Sequence, residues 1–164
     1  MCRGWTAIRR PSVFFGLTKT PWQPEDERPF PDARETLAFL KRAGYRLGII
    51  ANQSPGVAQR LAAWGLMPFL DAIAASGELG VSKPDPRIFE AALAMAHCPP
   101  PRAVMVGDRL DNDISPAKSI GMKTVWLRNG VSVSQGDTPG PRYADLTIAA
   151  LSELKNLFAA HDGQ

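Results

Sequence analysis

Two patterns of hydrophobic and polar positions alternate along most of this chain. Short, nearly continuous apolar runs predict strands that are buried on both faces. They occupy residues 47–51, 72–75, 103–106, 124–127 and 146–148. Between them, apolar residues recur at helical spacing, which predicts helices. These helices cover 33–43, 57–64, 86–96, 113–120 and 152 to about 160.

Residues at the ends of the predicted helices support this division into strands and helices. Asp32 is a candidate N-cap of the first helix, and Gly44, Gly65 and Gly121 each stand just after a helix, where glycine ends helices. Strands that alternate with helices, and that lack a polar face, are typical of an α/β fold. We therefore predict a parallel sheet with helices on both faces, in three layers. Ligands of such sheets bind at the carboxyl ends of the strands.

The N-terminal segment, residues 1–30, departs from this alternation. It contains one apolar run at 13–17, followed by four prolines between Pro21 and Pro31 and an acidic stretch at 25–27. We predict an irregular segment over 1–30 and a core domain over 31–160.

Composition narrows the class of protein further. The 164 residues are 45% hydrophobic and 21% charged, which excludes a disordered chain, a collagen and a coiled coil. No apolar run approaches the ~20 residues of a membrane helix, and a net charge of +3 is too small to indicate a nucleic-acid partner. Two cysteines are too few for a disulfide framework, so we predict a reducing, cytoplasmic location. Oligomeric state stays open.

Acidic residues follow one predicted strand directly. Asp108, Asp111 and Asp113 lie in the loop that begins at Gly107. Several carboxylates in one loop repel each other unless a cation lies among them, and carboxylate oxygens suit Mg²⁺. The alternative is that Asp113 or Asn112 caps the following helix.

Two further loops carry candidate anion ligands. Lys83 precedes a proline, which favours an extended backbone, and its ammonium is able to offset phosphate charge; the alternative is a surface lysine beside a helix. Residues 52–56 follow a predicted strand and lead into a helix, whose first N–H groups are able to bind an anion. In the alternative, Asn52 or Ser54 is simply the N-cap of that helix.

The order and spacing of these three loops resemble the haloacid dehalogenase superfamily, whose members are mostly Mg²⁺-dependent phosphohydrolases. The most specific stretches are Ser-Lys-Pro-Asp-Pro-Arg-Ile-Phe at 82–89 and Met-Val-Gly-Asp-Arg-Leu-Asp-Asn-Asp-Ile at 105–114. The similarity covers about residues 30–127. It implies a Rossmann-like, haloacid dehalogenase-like sheet, with room for little or no cap.

The resemblance also implies roles for individual residues. Lys83 matches the catalytic lysine that stabilises the phosphate and the nucleophile, and Asp108 and Asp113 match the acids that hold Mg²⁺. The implied phosphate-binding set consists of Asn52, Gln53, Ser54 and Lys83. Ala51 stands where the family has a serine or threonine, so one side-chain contact to phosphate is absent unless Ser54 supplies it.

The first motif of the family, Asp-x-Asp-x-Thr, is not found before Phe30. In one interpretation the run 13–20 is a decayed first motif, with Gly16 at the position of the nucleophile and Thr18 at that of the acid–base residue. In the other, residues 13–30 end an inserted cap segment, and the first strand lies before Met1.

Two functions follow from these patterns. The first is a Mg²⁺-dependent phosphatase for a small phosphate ester, impaired because the nucleophilic aspartate is absent. The alternative is a non-catalytic relative that binds Mg²⁺ and a phosphorylated molecule, or a protein partner. Whether the chain is an enzyme stays open at this point, and we expect neither a nucleic-acid nor a membrane partner.

Overall fold

Six parallel strands form the centre of the fold in a computed structural model that describes residues 12–17, 28–128 and 143–159. They are β1 (Ser12–Leu17), β2 (Arg46–Ala51), β3 (Ala72–Ala75), β4 (Ala103–Gly107), β5 (Lys123–Leu127) and β6 (Leu146–Ile148). Their order across the sheet is β3-β2-β1-β4-β5-β6, and every neighbouring pair is parallel. The predicted parallel α/β sheet is confirmed.

Strand β1 lies at the centre of this sheet, between β2 and β4. Its Phe15 pairs with Ile49 on one side and with Val106 on the other. Val13 and Phe15 face one layer of the core and Phe14 faces the opposite layer, and all three are buried. The apolar run inside the predicted irregular segment 1–30 is therefore part of the sheet, because a strand that is apolar on both faces has to be covered on both.

Helices cover both faces and complete three layers. They are α1 (Ala33–Arg42), α2 (Val57–Ala63), α3 (Ser76–Leu79), α4 (Pro86–Met95), α5 (Ser115–Ser119) and α6 (Glu153–Ala159). Leu37, Leu61 and Leu154 from α1, α2 and α6 pack in one core layer. Phe89 of α4 and Ala117 of α5 pack in the other. Within the described residues, no helix is long and apolar enough to cross a membrane.

Two helix starts differ from the sequence prediction. Asp32 does not cap α1 with its side chain; its Oδ2 instead accepts a hydrogen bond of 2.8 Å from the backbone N–H of Ser152, which ties the start of α1 to the start of α6. The helix predicted over 113–120 begins only at Ser115, after a π-helical turn, Leu110–Ile114. Asp113 and Ile114 belong to that π-helical turn, so the α-helix starts two residues later than predicted.

Candidate active site

The centre of the C-terminal sheet edge is the place where this topology favours a ligand. The strand order reverses between β1 and β4, and open parallel sheets bind ligands outside the strand ends at such a reversal. Gly16 lies near the end of β1, and Gly107 ends β4. The loop that follows β4 contains Asp108 and Asp113.

A buried ion pair links two of the predicted site residues. Lys83 Nζ donates a hydrogen bond of 2.7 Å to Asp113 Oδ1, and both side chains are 0% exposed. The second oxygen, Oδ2, accepts a bond of 3.1 Å from the backbone N–H of Arg109. Charges this deeply buried require partners of this kind. Lys83 is thus not a surface lysine, and Asp113 does not act as a helix cap.

Two glycines make room for the Asp113 side chain. A Cβ placed on Gly16 would lie 2.5 Å from Asp113 Oδ1 and 2.6 Å from its Cγ. A Cβ placed on Gly107 would lie 2.6 Å from both Cγ and Oδ2 of the same residue. The carboxylate is therefore enclosed between the ends of β1 and β4, and it occupies the space next to the backbone of Gly16.

Asn52, the first residue after β2, contacts Lys83 rather than open space. Its Oδ1 accepts a hydrogen bond of 2.7 Å from the backbone N–H of Lys83, and its Nδ2 donates one of 2.8 Å to the backbone carbonyl of Lys83. In this arrangement the amide is used on both of its sides by the protein itself.

The next two predicted phosphate ligands are held by other parts of the protein. Gln53 Oε1 accepts a hydrogen bond of 2.7 Å from Arg60 Nη2, and the backbone N–H of Gln53 donates to Ser76 Oγ at 2.9 Å. Ser54 is exposed, and its carbonyl accepts a bond of 3.1 Å from Arg60. Their roles as phosphate ligands stay predictions.

The N-cap predicted for the second helix is wrong. Helix α2 begins at Val57, and Gly56 occupies the N-cap position with a φ of 97° and no side-chain cap. Asn52 and Ser54 lie too early in the chain to serve, because the intervening turn through Pro55 and Gly56 delays the helix. Gly56 suits this position because an L side chain rarely adopts such a φ.

Trp126 belongs to the site, although the sequence motifs did not single it out. Its indole Nε1 donates a hydrogen bond of 2.9 Å to the backbone carbonyl of Asp108, and the residue is fully buried. Trp126 pairs with Gly107 in the sheet register. A tryptophan at the end of the strand beside β4 was therefore the available signal, since its N–H needs an acceptor when buried.

The third acid of the loop has a partner of its own. Asp111 Oδ2 accepts a hydrogen bond of 2.5 Å from Arg109 Nη2, and a second bond of 3.0 Å joins Arg109 Nε to Asp111 Oδ1. The hydrogen bond from Arg109 lowers the pKa of Asp111, and the same contact raises the pKa of Arg109. Repulsion among the loop carboxylates is thus relieved partly by an arginine within the loop.

The remaining acids, Asp108 and Asp113, have the ligand chemistry that Mg²⁺ prefers. Each oxygen of Asp113 accepts one hydrogen bond from Lys83 or Arg109, and a carboxylate has about four acceptor sites, so acceptor capacity remains. Within the described residues, no three His, Cys, Asp or Glu side chains are grouped closely enough to hold a metal. The donor set fits Mg²⁺ only if water or a phosphate supplies the other ligands.

In the described residues, β1 contains no acidic side chain. Gly16 has no side chain, and Thr18, the predicted acid–base position, lies outside the described residues. Lys83, Asp113, Asn52 and Gly16 are brought together, whereas the hydrogen bonds described above for Gln53 and Ser54 go to Arg60 and Ser76.

Comparison with known proteins decides the family. A family model described as haloacid dehalogenase-like hydrolase matches residues 19–121, which is more than half of the chain. This chain belongs to the haloacid dehalogenase-like hydrolases. The matched region of this haloacid dehalogenase-like chain includes Lys83, Asp108 and Asp113, and it begins just after Gly16 and Thr18.

Relatives of this haloacid dehalogenase-like chain include phosphatases. It is 39% identical to a glyceraldehyde 3-phosphate phosphatase of Pyrococcus furiosus, over 83% of this chain and 57% of that protein. It is 33% identical to a phosphoserine phosphatase of Thermus thermophilus, over 76% and 51% of the two chains. A crystal structure of a HAD phosphatase from Thermococcus onnurineus superposes with a TM-score of 0.68 and 33% identity, over 78% and 57%. The chain thus spans little more than half the length of these relatives.

Proposed function

We propose that this chain binds a small phosphorylated molecule at the C-terminal edge of the sheet and does not hydrolyse it through a phosphorylated aspartate. The observation that carries this proposal is Gly16 near the end of the central strand β1, beside Asp113. The family's reaction needs an aspartate at the end of its first strand to attack phosphorus. Glycine provides no nucleophile there.

The position of β1 supports one of the two interpretations of the N-terminal run. The strand fills the central position between β2 and β4, where the first strand of the family's sheet is needed. A cap remnant would have no reason to pair in register with both neighbours over Ser12–Phe15. We therefore treat 13–20 as a decayed first motif, with Gly16 and Thr18 at the positions of its two aspartates.

The names of the relatives support the class of ligand. Glyceraldehyde 3-phosphate and phosphoserine are the substrates in the names of two matched phosphatases, and both are small phosphate monoesters. In this chain, Lys83 is the buried cation at the strand ends, and its ammonium is held by Asp113. We expect Lys83 to orient toward both Asp113 and a bound phosphate.

Charge balance explains why Mg²⁺ belongs to the proposal. Lys83 carries one positive charge against the two carboxylates of Asp108 and Asp113, so these three groups together carry one net negative charge. A phosphate dianion is repelled by such a group unless further positive charge is present. We propose that Asp108 and Asp113 hold a Mg²⁺ ion, which when bound offsets the charge of the phosphate.

Hydrolysis of an aryl phosphate tests the proposal. The purified chain is assayed with and without Mg²⁺, beside Asp108→Asn, and binding of inorganic phosphate is measured by calorimetry on the same samples. We expect no Mg²⁺-dependent turnover above that of Asp108→Asn, because losing a nucleophile removes most of a covalent enzyme's rate, about 10⁶-fold in the subtilisin example. Phosphate binding is expected in the wild type with Mg²⁺ and is expected to be lost in Asp108→Asn.

Two results would contradict the proposal in different ways. Turnover that requires both Mg²⁺ and Asp108 would show that a nucleophile outside the described strand end operates. Absence of both turnover and phosphate binding from a folded protein would instead favour the protein-interaction relative.

A further inference from the structure

The side chain of Asn52 makes a two-point contact with a residue 31 positions away. It accepts from the Lys83 backbone N–H at 2.7 Å and donates to the Lys83 carbonyl at 2.8 Å. Asn52 follows β2, whereas Lys83 lies in the connection between α3 and α4. The contact therefore joins two loops that share no strand or helix.

The residue whose backbone makes this contact is the same lysine whose ammonium forms the buried ion pair. A lysine side chain loses much conformational entropy when its ammonium is fixed in one place, and a backbone that moves makes that fixation harder. The Lys83 backbone lies between α3, which ends at Leu79, and α4, which begins at Pro86, in a turn that a hydrogen bond of 2.9 Å closes from the Asp85 N–H to the Ser82 carbonyl. Asn52 fixes both polar groups of the Lys83 backbone at once.

We propose that Asn52 is a positioning residue for Lys83. By holding the Lys83 backbone, it keeps the ammonium 2.7 Å from Asp113 Oδ1. The contact uses the oxygen and one of the two N–H groups of the Asn52 amide, so the second N–H stays available to another acceptor and the positioning role does not depend on how that group is used. This inference stands on geometry alone and does not depend on phosphate binding.

Hydrogen exchange of the Lys83 ammonium, followed by NMR on protein labelled with [¹⁵N]lysine, tests this role. An ammonium in a fully buried ion pair exchanges its protons with water only when the site opens. In Asn52→Ala we expect the Lys83 ammonium protons to exchange about tenfold to hundredfold faster, the factor that two lost hydrogen bonds imply. Exchange unchanged from the wild type would overturn the proposal.

Asp71→Ala is the matched control. Asp71 also binds a distant backbone group with its side chain, because its Oδ2 accepts a hydrogen bond of 2.9 Å from the Leu47 N–H. Leu47 lies near the beginning of β2, at the opposite end of that strand from Asn52. We expect Asp71→Ala to lower stability without changing Lys83 ammonium exchange. Equal acceleration in both variants would show that general loosening, and not positioning, controls the exchange, and would also overturn the proposal.

Two further measurements cover the case in which Asn52→Ala does not fold. Asn52→Asp keeps an acceptor for the Lys83 N–H but loses the donor to its carbonyl, so we expect an intermediate acceleration. In the wild-type protein, the Lys83 backbone N–H and the one Asn52 side-chain N–H that donates to the Lys83 carbonyl are expected to be protected from exchange. Exchange of both at the rate of exposed amides would overturn the proposal without any variant.

Discussion

The ends of β4 and β1 meet at the centre of the same sheet, yet they carry very different chemistry. After β4 come Asp108 and Asp113, and Asp113 is paired with the buried Lys83. At the end of β1 stands Gly16, and the space in front of it is filled by the Asp113 carboxylate. One half of the site contains a buried ion pair, whereas in the described residues the other half contributes the backbone of Gly16.

This difference shows which part of the site the fold itself requires. The Lys83–Asp113 pair is fully buried, so removing one partner would leave an uncompensated charge in the core. A group at Gly16 is not needed to neutralise this pair, because the two charges already balance each other. The structure therefore keeps its buried ion pair although Gly16, near the end of β1, contributes no side chain.

Breaking the pair from the lysine side has the largest expected effect. Lys83→Met leaves Asp113 buried without its cation, and we expect a loss of about 3–5 kcal/mol in the free energy of unfolding. Urea denaturation measures this. In Lys83→Met combined with Asp113→Leu, where both charges are gone, the loss is expected to be clearly smaller. Equal losses would show that the pair is not the source of the effect.

Adding one methyl group at Gly16, near the end of β1, tests whether the Asp113 carboxylate fills the space next to that strand end. Gly16→Ala places a Cβ 2.5–2.6 Å from Asp113 Oδ1 and Cγ, so the carboxylate must move. We expect a loss of about 1–3 kcal/mol, typical of overpacking in a core. In a Lys83→Met, Asp113→Ala background the space is open, and the same substitution is expected to be neutral or stabilising, since alanine suits a strand better than glycine.

The smallest expected effect is on the pH dependence of the free energy of unfolding. It comes from a partly exposed carboxylate, Asp85, and not from the buried ion pair. The side-chain hydrogen bond from Arg87 lowers the pKa of Asp85 from 3.8 to about 2. A lowered pKa contributes stability above the unfolded value, and this contribution disappears as the pH falls from about 4 to about 2. Asp85→Asn keeps a good N-cap residue for α4 but removes the titration.

Chemical denaturation over that pH range checks this expectation. The stability of Asp85→Asn is expected to fall less steeply between about pH 4 and about pH 2 than that of the wild type. Parallel curves would mean that other carboxylates, including Asp71 and Asp111, whose pKa values are also lowered by hydrogen bonds from Lys41 and Arg109, account for the acid dependence. For Asp71, burial opposes this lowering.

Sequence patterns were sufficient for the layers of the fold because those layers follow from local rules. Continuous apolar runs such as those of β2 and β4 have to be covered on both sides, which dictates helices on both faces. The place of β1 did not follow from any local rule. Its run lies among irregular and proline-rich sequence, and only pairing with both β2 and β4 makes it the central strand.

Side-chain partners at the site were harder to predict than the residues themselves. Asp113 and Asn52 both have the short polar side chains that cap helices, and a sequence window contains nothing that distinguishes a cap from a long-range contact. Asp113 meets Lys83, 30 residues away, and Asn52 meets the backbone of that same lysine. Asp32 is the same case, since its partner at Ser152 lies 120 residues away.

A ³¹P NMR time course of a small phosphate monoester, such as phosphoserine, mixed with the chain and Mg²⁺ tests most directly whether the chain binds a phosphate ester without hydrolysing it. We expect the ester signal to shift or broaden as the chain is added, which reports binding, while no signal of inorganic phosphate grows. Growth of inorganic phosphate that stops when Mg²⁺ is removed and is absent from Asp108→Asn would contradict it, because turnover needs the nucleophile that Gly16 does not provide.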